Sequence, residues 1–171
     1  DASPSPQISP SLHPAIQKTE HSAKNYTQLW PLNRSRTKPA QWQEKLTEIK
    51  GIKVGLIWAG NPKNEKDALR SMPLADYAAL FELPGLTFIS LQKGTPAAQI
   101  ANSKLPVLNL MADCHDMLDT GALIQCLDLV ISVDTSVAHL TGALAKPIWL
   151  LNRHEGEWRW AIDREDSIWY P

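Results

Sequence analysis

From Gly51 onward the chain alternates short, continuous apolar runs with segments of helix length, and this alternation limits its possible folds more than any other feature. The runs are IKVGLIWA at 52–59, LTFISL at 86–91, LPVLNL at 105–110, LDLVISV at 127–133 and PIWLL at 147–151. A strand with one wet face alternates apolar and polar residues, whereas a strand covered on both faces is apolar throughout. Five such runs spaced by crossover-length segments predict a parallel sheet, because parallel neighbours need long connections and those connections are nearly always right-handed. Helices are expected at 73–82, 96–101, 120–127 and 136–145. The expected fold class is α/β, a Rossmann-like doubly wound parallel sheet of about five strands.

Before Gly51 the pattern is different. Residues 1–38 are rich in proline, serine and polar residues and lack hydrophobic periodicity, so they read as a linker or arm, with Tyr26, Leu29 and Trp30 as its few docking residues. A short helix is expected at 40–49, where Trp42, Leu46 and Ile49 share a face. The domain proper is therefore taken as 39–171. At 171 residues the chain suits one core, and its 43% hydrophobic and 20% charged content is that of a globular protein. A net charge of −1 gives no general attraction to nucleic acid or anionic membrane, so phosphate binding must be local. Cys114 and Cys126 match no ligand or disulfide pattern. No run reaches the length of a membrane span and the N-terminus has no signal-peptide pattern, so a cytoplasmic location is expected.

In doubly wound sheets ligands bind beyond the carboxyl ends of the strands. The strongest signal there is LDLVISVDTSVAHLTGALAKPIWLL, a buried strand running into Asp134, Thr135 and Ser136 and then a helix. The amides of a first helical turn and the positive end of the dipole make an anion site of the kind that holds diphosphates. Thr135 and Ser136 add hydroxyls, Val137 an amide, and His139 lies one turn on from Thr135. The plainer account is that Asp134 or Thr135 caps the helix and His139 is an ordinary half-buried histidine.

The loop after the first run supplies Gly60, Asn61 and Arg70, the last able to pair bidentately with phosphate. Ser71 caps the next helix in one reading, and Lys63 and Lys66 read as solvated. The loop has neither GxGxxG nor GxxxxGK[ST], which argues against a dinucleotide dehydrogenase or a P-loop NTPase. Gln92 and Lys93 follow the second run and either face a base or ribose or form an ordinary turn. Asp119-Thr120 resembles a helix N-cap. Asp113, His115 and Asp116 match no ligand spacing, so no metal is expected. Trp158, Trp160, Trp169 and Tyr170 either stack on a ligand or anchor the tail, and packing is favoured for Trp160 and Trp169.

Taken together, KVGLIWAGNP, RSMPL, FISLQKG, DT followed by GALI, the long DTSVAH segment and EWRWAIDREDSIWYP, in that order, resemble the C-terminal part of bacterial tetratricopeptide-linked glycosyltransferase-like proteins. These are similar to the ADP-heptose lipopolysaccharide heptosyltransferases and, more distantly, to the O-linked N-acetylglucosamine transferases. The resemblance covers about 40–171. It implies one half of a GT-B fold, the half that binds a nucleotide-diphosphate sugar, with the N-terminal half or a tetratricopeptide region supplied in cis or in trans. It also implies a donor site at Asp134, Thr135, Ser136, Val137 and His139, with the diphosphate on the helix amides and Asp134 near the sugar hydroxyls. Ser136 stands where heptosyltransferases often carry glycine. The transfer it implies needs no metal, since the helix dipole with His139 or Arg70 would stabilise the leaving diphosphate. No acceptor base is evident, so catalytic residues are unassigned and the chain reads as an incomplete enzyme. Two other functions suit the same scaffold: a non-catalytic interaction module using the arm and exposed tryptophans, and a nucleotide-sugar epimerase half-domain.

Overall fold

The computed structural model describes residues 39–153, 158, 160 and 166–170. The expected arm at 1–38, with Tyr26, Leu29 and Trp30, lies outside the described residues. Five strands, β1 (Ile52–Ile57), β2 (Leu86–Ser90), β3 (Val107–Asn109), β4 (Leu129–Val133) and β5 (Ile148–Leu151), form one sheet in the order β3-β2-β1-β4-β5. Every pairing is parallel, with Val54 opposite Phe88 on one side and Leu129 on the other. The α/β, Rossmann-like expectation holds.

The continuous apolar runs are explained by the two cores they feed. On one face Val54, Leu56, Phe88 and Ile131 pack against Leu74 and Tyr77 of a 3₁₀ helix at Leu74–Glu82. On the other, Ile57, Ile89 and Val130 pack against α1 (Pro39–Leu46), α3 (Met117–Gln125) and α4 (Ser136–Ala143) through Trp42, Leu46, Leu123, Ile124 and Leu140. The connection between β2 and β3 is a 3₁₀ turn at Thr95–Ala98 leading into α2 (Gln99–Asn102).

The first helix ends at Leu46 rather than at 49, the expected helix at 96–101 is divided between a 3₁₀ turn and α2, and two further segments differ in type or start. The segment 73–82 winds as a 3₁₀ helix rather than an α-helix, and it starts after Pro73, so Ser71 is not its cap. The third helix starts at Met117, three residues before the expected Thr120, because Asp116 caps it by accepting from the Asp119 amide at 2.9 Å. Asp119 is fully buried and reaches back to accept from the His115 amide at 2.9 Å, a reciprocal pair that closes the turn. Among the described residues no helix is long and apolar enough to cross a membrane.

The order reverses direction between β1 and β4: the chain builds β2 and β3 outward on one side, then returns to lay β4 and β5 on the other. Loops leaving the carboxyl ends of β1 and β4 diverge there and open a crevice, the position at which open parallel sheets bind ligands.

Candidate functional site

A cleft of about 800 Å³ opens at that switch point. Its lining includes all ten residues singled out from the sequence: Gly60, Asn61, Arg70, Gln92, Lys93, Asp134, Thr135, Ser136, Val137 and His139. Three loops separated by the sheet order bring them together. The sequence reading missed the apolar part of the wall, where Ile57, Leu91, Met111 and Met117 line the cleft, and it missed Tyr170. The β3 loop that carries Met111 offered only a weak apolar signal in a polar stretch.

On the β1 side the walls are held by a network within a dozen residues of sequence. Asp67, 7% exposed, accepts from Arg70 Nε at 3.1 Å through one oxygen and from Ser71 Oγ at 2.8 Å through the other. Ser71 Oγ in turn accepts from the Gly60 amide at 2.9 Å, and Arg70 Nη1 donates to the Asp134 carbonyl at 2.8 Å. Arg70 thus ties the β1 loop to the end of β4. Gly60 is required by this packing, since a Cβ there would lie 2.3 Å from Asp67 Oδ1 and 2.6 Å from Arg70 Nη2. Asn61 makes a local turn, its Oδ1 accepting from the Lys63 amide at 3.0 Å.

Gln92 sits at the end of β2 with its side chain committed to backbone. Its Oε1 accepts from the Trp58 and Ala59 amides at 3.2 and 2.9 Å, and its Nε2 donates to the Ala59 and Lys93 carbonyls at 2.9 and 3.0 Å. With both amide hydrogens and its oxygen used, the side chain shapes the cleft wall between β1 and β2 rather than projecting a free amide into it. Lys93 is exposed, and its ammonium donates to the Cys114 carbonyl across the cleft floor.

On the α4 side Thr135 occupies the N-cap position with extended backbone (φ −140°, ψ 168°), yet its hydroxyl caps nothing and lies 3.3 Å from Ser132 Oγ. The helix's first internal bonds are those of the Ala138 and His139 amides to the Thr135 carbonyl, at 3.0 and 3.3 Å. The amides of Ser136 and Val137 come before that first turn closes and have no partner among the described residues, while both residues line the cleft.

Asp134 and His139 are drawn into a cluster with the chain's last aromatics. Trp160 Nε1 donates to Asp134 Oδ1 at 3.1 Å and stacks on the His139 ring, centroids 4.9 Å apart at 15°. His139 Nδ1 lies 2.7 Å from the Tyr170 hydroxyl, and its Nε2 is 3.6 Å from Asp134 Oδ1. Tyr170 lies flat over Gly142, where a Cβ would come within 2.6 Å of the ring. The small residue at 142 thus admits the tail. Trp160 packs as expected, whereas Trp169, for which packing was also expected, is exposed and forms an edge-to-face pair with Trp158 at 5.5 Å.

Comparison with known proteins corrects the family expectation. No family model and no solved structure matches the chain. It is 30% identical over 143 residues to protein FlbA of Caulobacter vibrioides, a stretch covering 77% of this chain and 23% of that protein. The chain thus spans about a quarter of that relative's length. This similarity points away from the tetratricopeptide-linked, heptosyltransferase-like glycosyltransferases. The segments that carried the earlier resemblance are short, and a strand running through Asp-Thr into a helix is what an α/β sheet presents at its switch point whatever it binds.

Proposed function

We propose that this chain binds the diphosphate of a nucleotide-linked sugar at the N-terminus of α4, as the donor-binding half of a two-domain, GT-B-type glycosyl transferase. The observation that carries the reading is that Ser136 and Val137, whose amides have no partner among the described residues, line a switch-point cleft of about 800 Å³, a volume suited to a nucleotide-sized ligand. The helix dipole adds attraction for an anion at that end. Lys93 supplies a cation at the opposite wall, and Leu91, Met111 and Met117 offer an apolar surface on which a base can lie. In this reading Asp134 meets hydroxyls of the sugar or ribose, since an ionised carboxylate accepts from hydroxyls and repels a second phosphate. No metal is invoked. The acceptor and its base belong to a second domain, in cis or in trans, and the cytoplasm, where sugar nucleotides are made, is the compartment that suits the reading.

Ser136→Pro tests this directly. Position 136 opens the helix and Thr135 before it is extended, so proline fits both residues while removing one amide donor. Thermal-shift titration with ADP, UDP and GDP is expected to raise the melting temperature of the wild-type chain with one of them, and Ser136→Pro is expected to weaken that binding about tenfold. A folded wild-type chain that responds to none of the three would end the proposal.

A second reading is favoured by one feature: Trp158, Ile168 and Trp169 are all more than half exposed. Such a group suits a protein-interaction module that keeps the scaffold without using the cleft. Replacing the two tryptophans by serine would abolish association with a partner in that case and leave nucleotide response unchanged.

A further inference from the structure

The cleft's polar residues on the α4 side do not stand alone, because two side chains from beyond β5 hold them. Asp134 presents Oδ1 to two groups, Trp160 Nε1 at 3.1 Å and His139 Nε2 at 3.6 Å. An ionised carboxylate is an acceptor only, so in neutral His139 the nitrogen facing it is the one that carries the hydrogen. That leaves Nδ1 with its lone pair, and the hydroxyl 2.7 Å away, Tyr170 Oη, must then be the donor. The stack of Trp160 on the imidazole fixes the ring plane in which these two directions are met.

The geometry points to Tyr170 and Trp160 as positioning residues that lock His139 in the Nε2–H tautomer, with that hydrogen facing Asp134. The inference deepens the diphosphate reading and rests on it for its consequence: a diphosphate at the α4 N-terminus meets His139, which lines the same cleft, in one fixed tautomer and ring orientation. The tautomer itself is a property of the free protein. Gly142 is part of the device, since the Tyr170 ring reaches His139 only by lying where a side chain at 142 would be.

Two variants separate positioning from simple packing. Tyr170→Phe keeps the ring and removes the hydroxyl. Gly142→Ala improves the helix's intrinsic propensity, yet forces the ring away from its seat. The readout is the nitrogen NMR signature of the His139 ring in the full 171-residue chain without ligand. Wild type should show a pyrrole-like Nε2 and a pyridine-like Nδ1, and both variants should show a mixture of tautomers. Affinity for whichever nucleoside diphosphate shifts the wild-type melting temperature should fall about three- to tenfold in Tyr170→Phe, the effect of one hydrogen bond. An Nδ1–H tautomer in wild type, or a ring signature unchanged in both variants, overturns the inference. If the tautomer behaves as stated and no nucleoside diphosphate binds, the positioning stands and the diphosphate reading is what falls.

Discussion

The two walls of the cleft are built on opposite plans. The β1 wall is stitched from Gly60, Asp67, Arg70 and Ser71, close in sequence, and from Gln92, 33 and 34 residues from its partners but at the end of the adjoining strand β2. The α4 wall depends on partners 26 and 31 residues away, Trp160 on Asp134 and Tyr170 on His139. A wall closed by a local network and by the adjoining strand of the sheet forms as that strand pair forms. A wall held by a distant tail forms only when that segment is seated. The first therefore acts as scaffold, and the second as the part whose geometry a sequence change outside the cleft can alter.

Breaking the first wall should show in stability. Gln92→Ala carries the largest expected effect, a loss of about 3 kcal/mol by urea denaturation, because four backbone groups around Trp58, Ala59 and Lys93 lose their partners inside the protein. A loss below about 1 kcal/mol would mean that water replaces the clamp. Asp67→Ala follows, at about 2 kcal/mol, since Arg70 and Ser71 both lose their acceptor while Arg70 keeps some access to solvent. The second wall should respond differently. Trp160→Phe preserves the stack on His139 and removes only the bond to Asp134, so less than about 1 kcal/mol of stability is expected to go, with a nucleotide affinity loss of similar size. A large stability loss in this variant would erase the distinction between scaffold and tail.

The same contrast explains what could be read from the sequence. The three inner strands, β2, β1 and β4, were legible because burial on both faces leaves a continuous apolar run, and the edge strands β3 and β5 carry apolar runs too although Leu108 and Trp149 are exposed. The ten cleft candidates were legible for a topological reason: they follow strand ends, and parallel order gathers strand ends. What each does there was not. Gln92 looked like a ligand contact because its commitment to Trp58 and Ala59 depends on how β1 lies beside β2, which no local window reveals. Asp116 was passed over as a cap in favour of Asp119-Thr120, since both match the N-cap pattern and only the turn's geometry separates them. The tail's hold on Asp134 and His139 left no periodic trace at all. The family expectation failed for a related reason: short segments shared by many α/β sheets do not mark one lineage.

Cys114 gives the smallest expected effect and the cleanest separation of the two walls. It is buried under the cleft floor, in the loop held by Lys93, and burial pushes its thiol up to about 11 from an ordinary value of 9.0, with the Lys93 ammonium pulling the other way. Between pH 9 and 11 the unfolded chain has shed this proton while the folded chain keeps it. Stability is therefore fully present below pH 9 and falls as pH rises towards 11. The thiolate is the reactive form, so alkylation of Cys114 near pH 8, followed by mass spectrometry of its peptide, reports opening of the floor. Gln92→Ala should speed that alkylation severalfold, as the β1–β2 clamp loosens next to Lys93. Trp160→Phe and Tyr170→Phe should leave it at the wild-type rate, because the tail grips Asp134 and His139 and not the floor. If the tail variants expose Cys114 as readily as Gln92→Ala does, the two walls open as one unit and the cleft has no separable tail-held side.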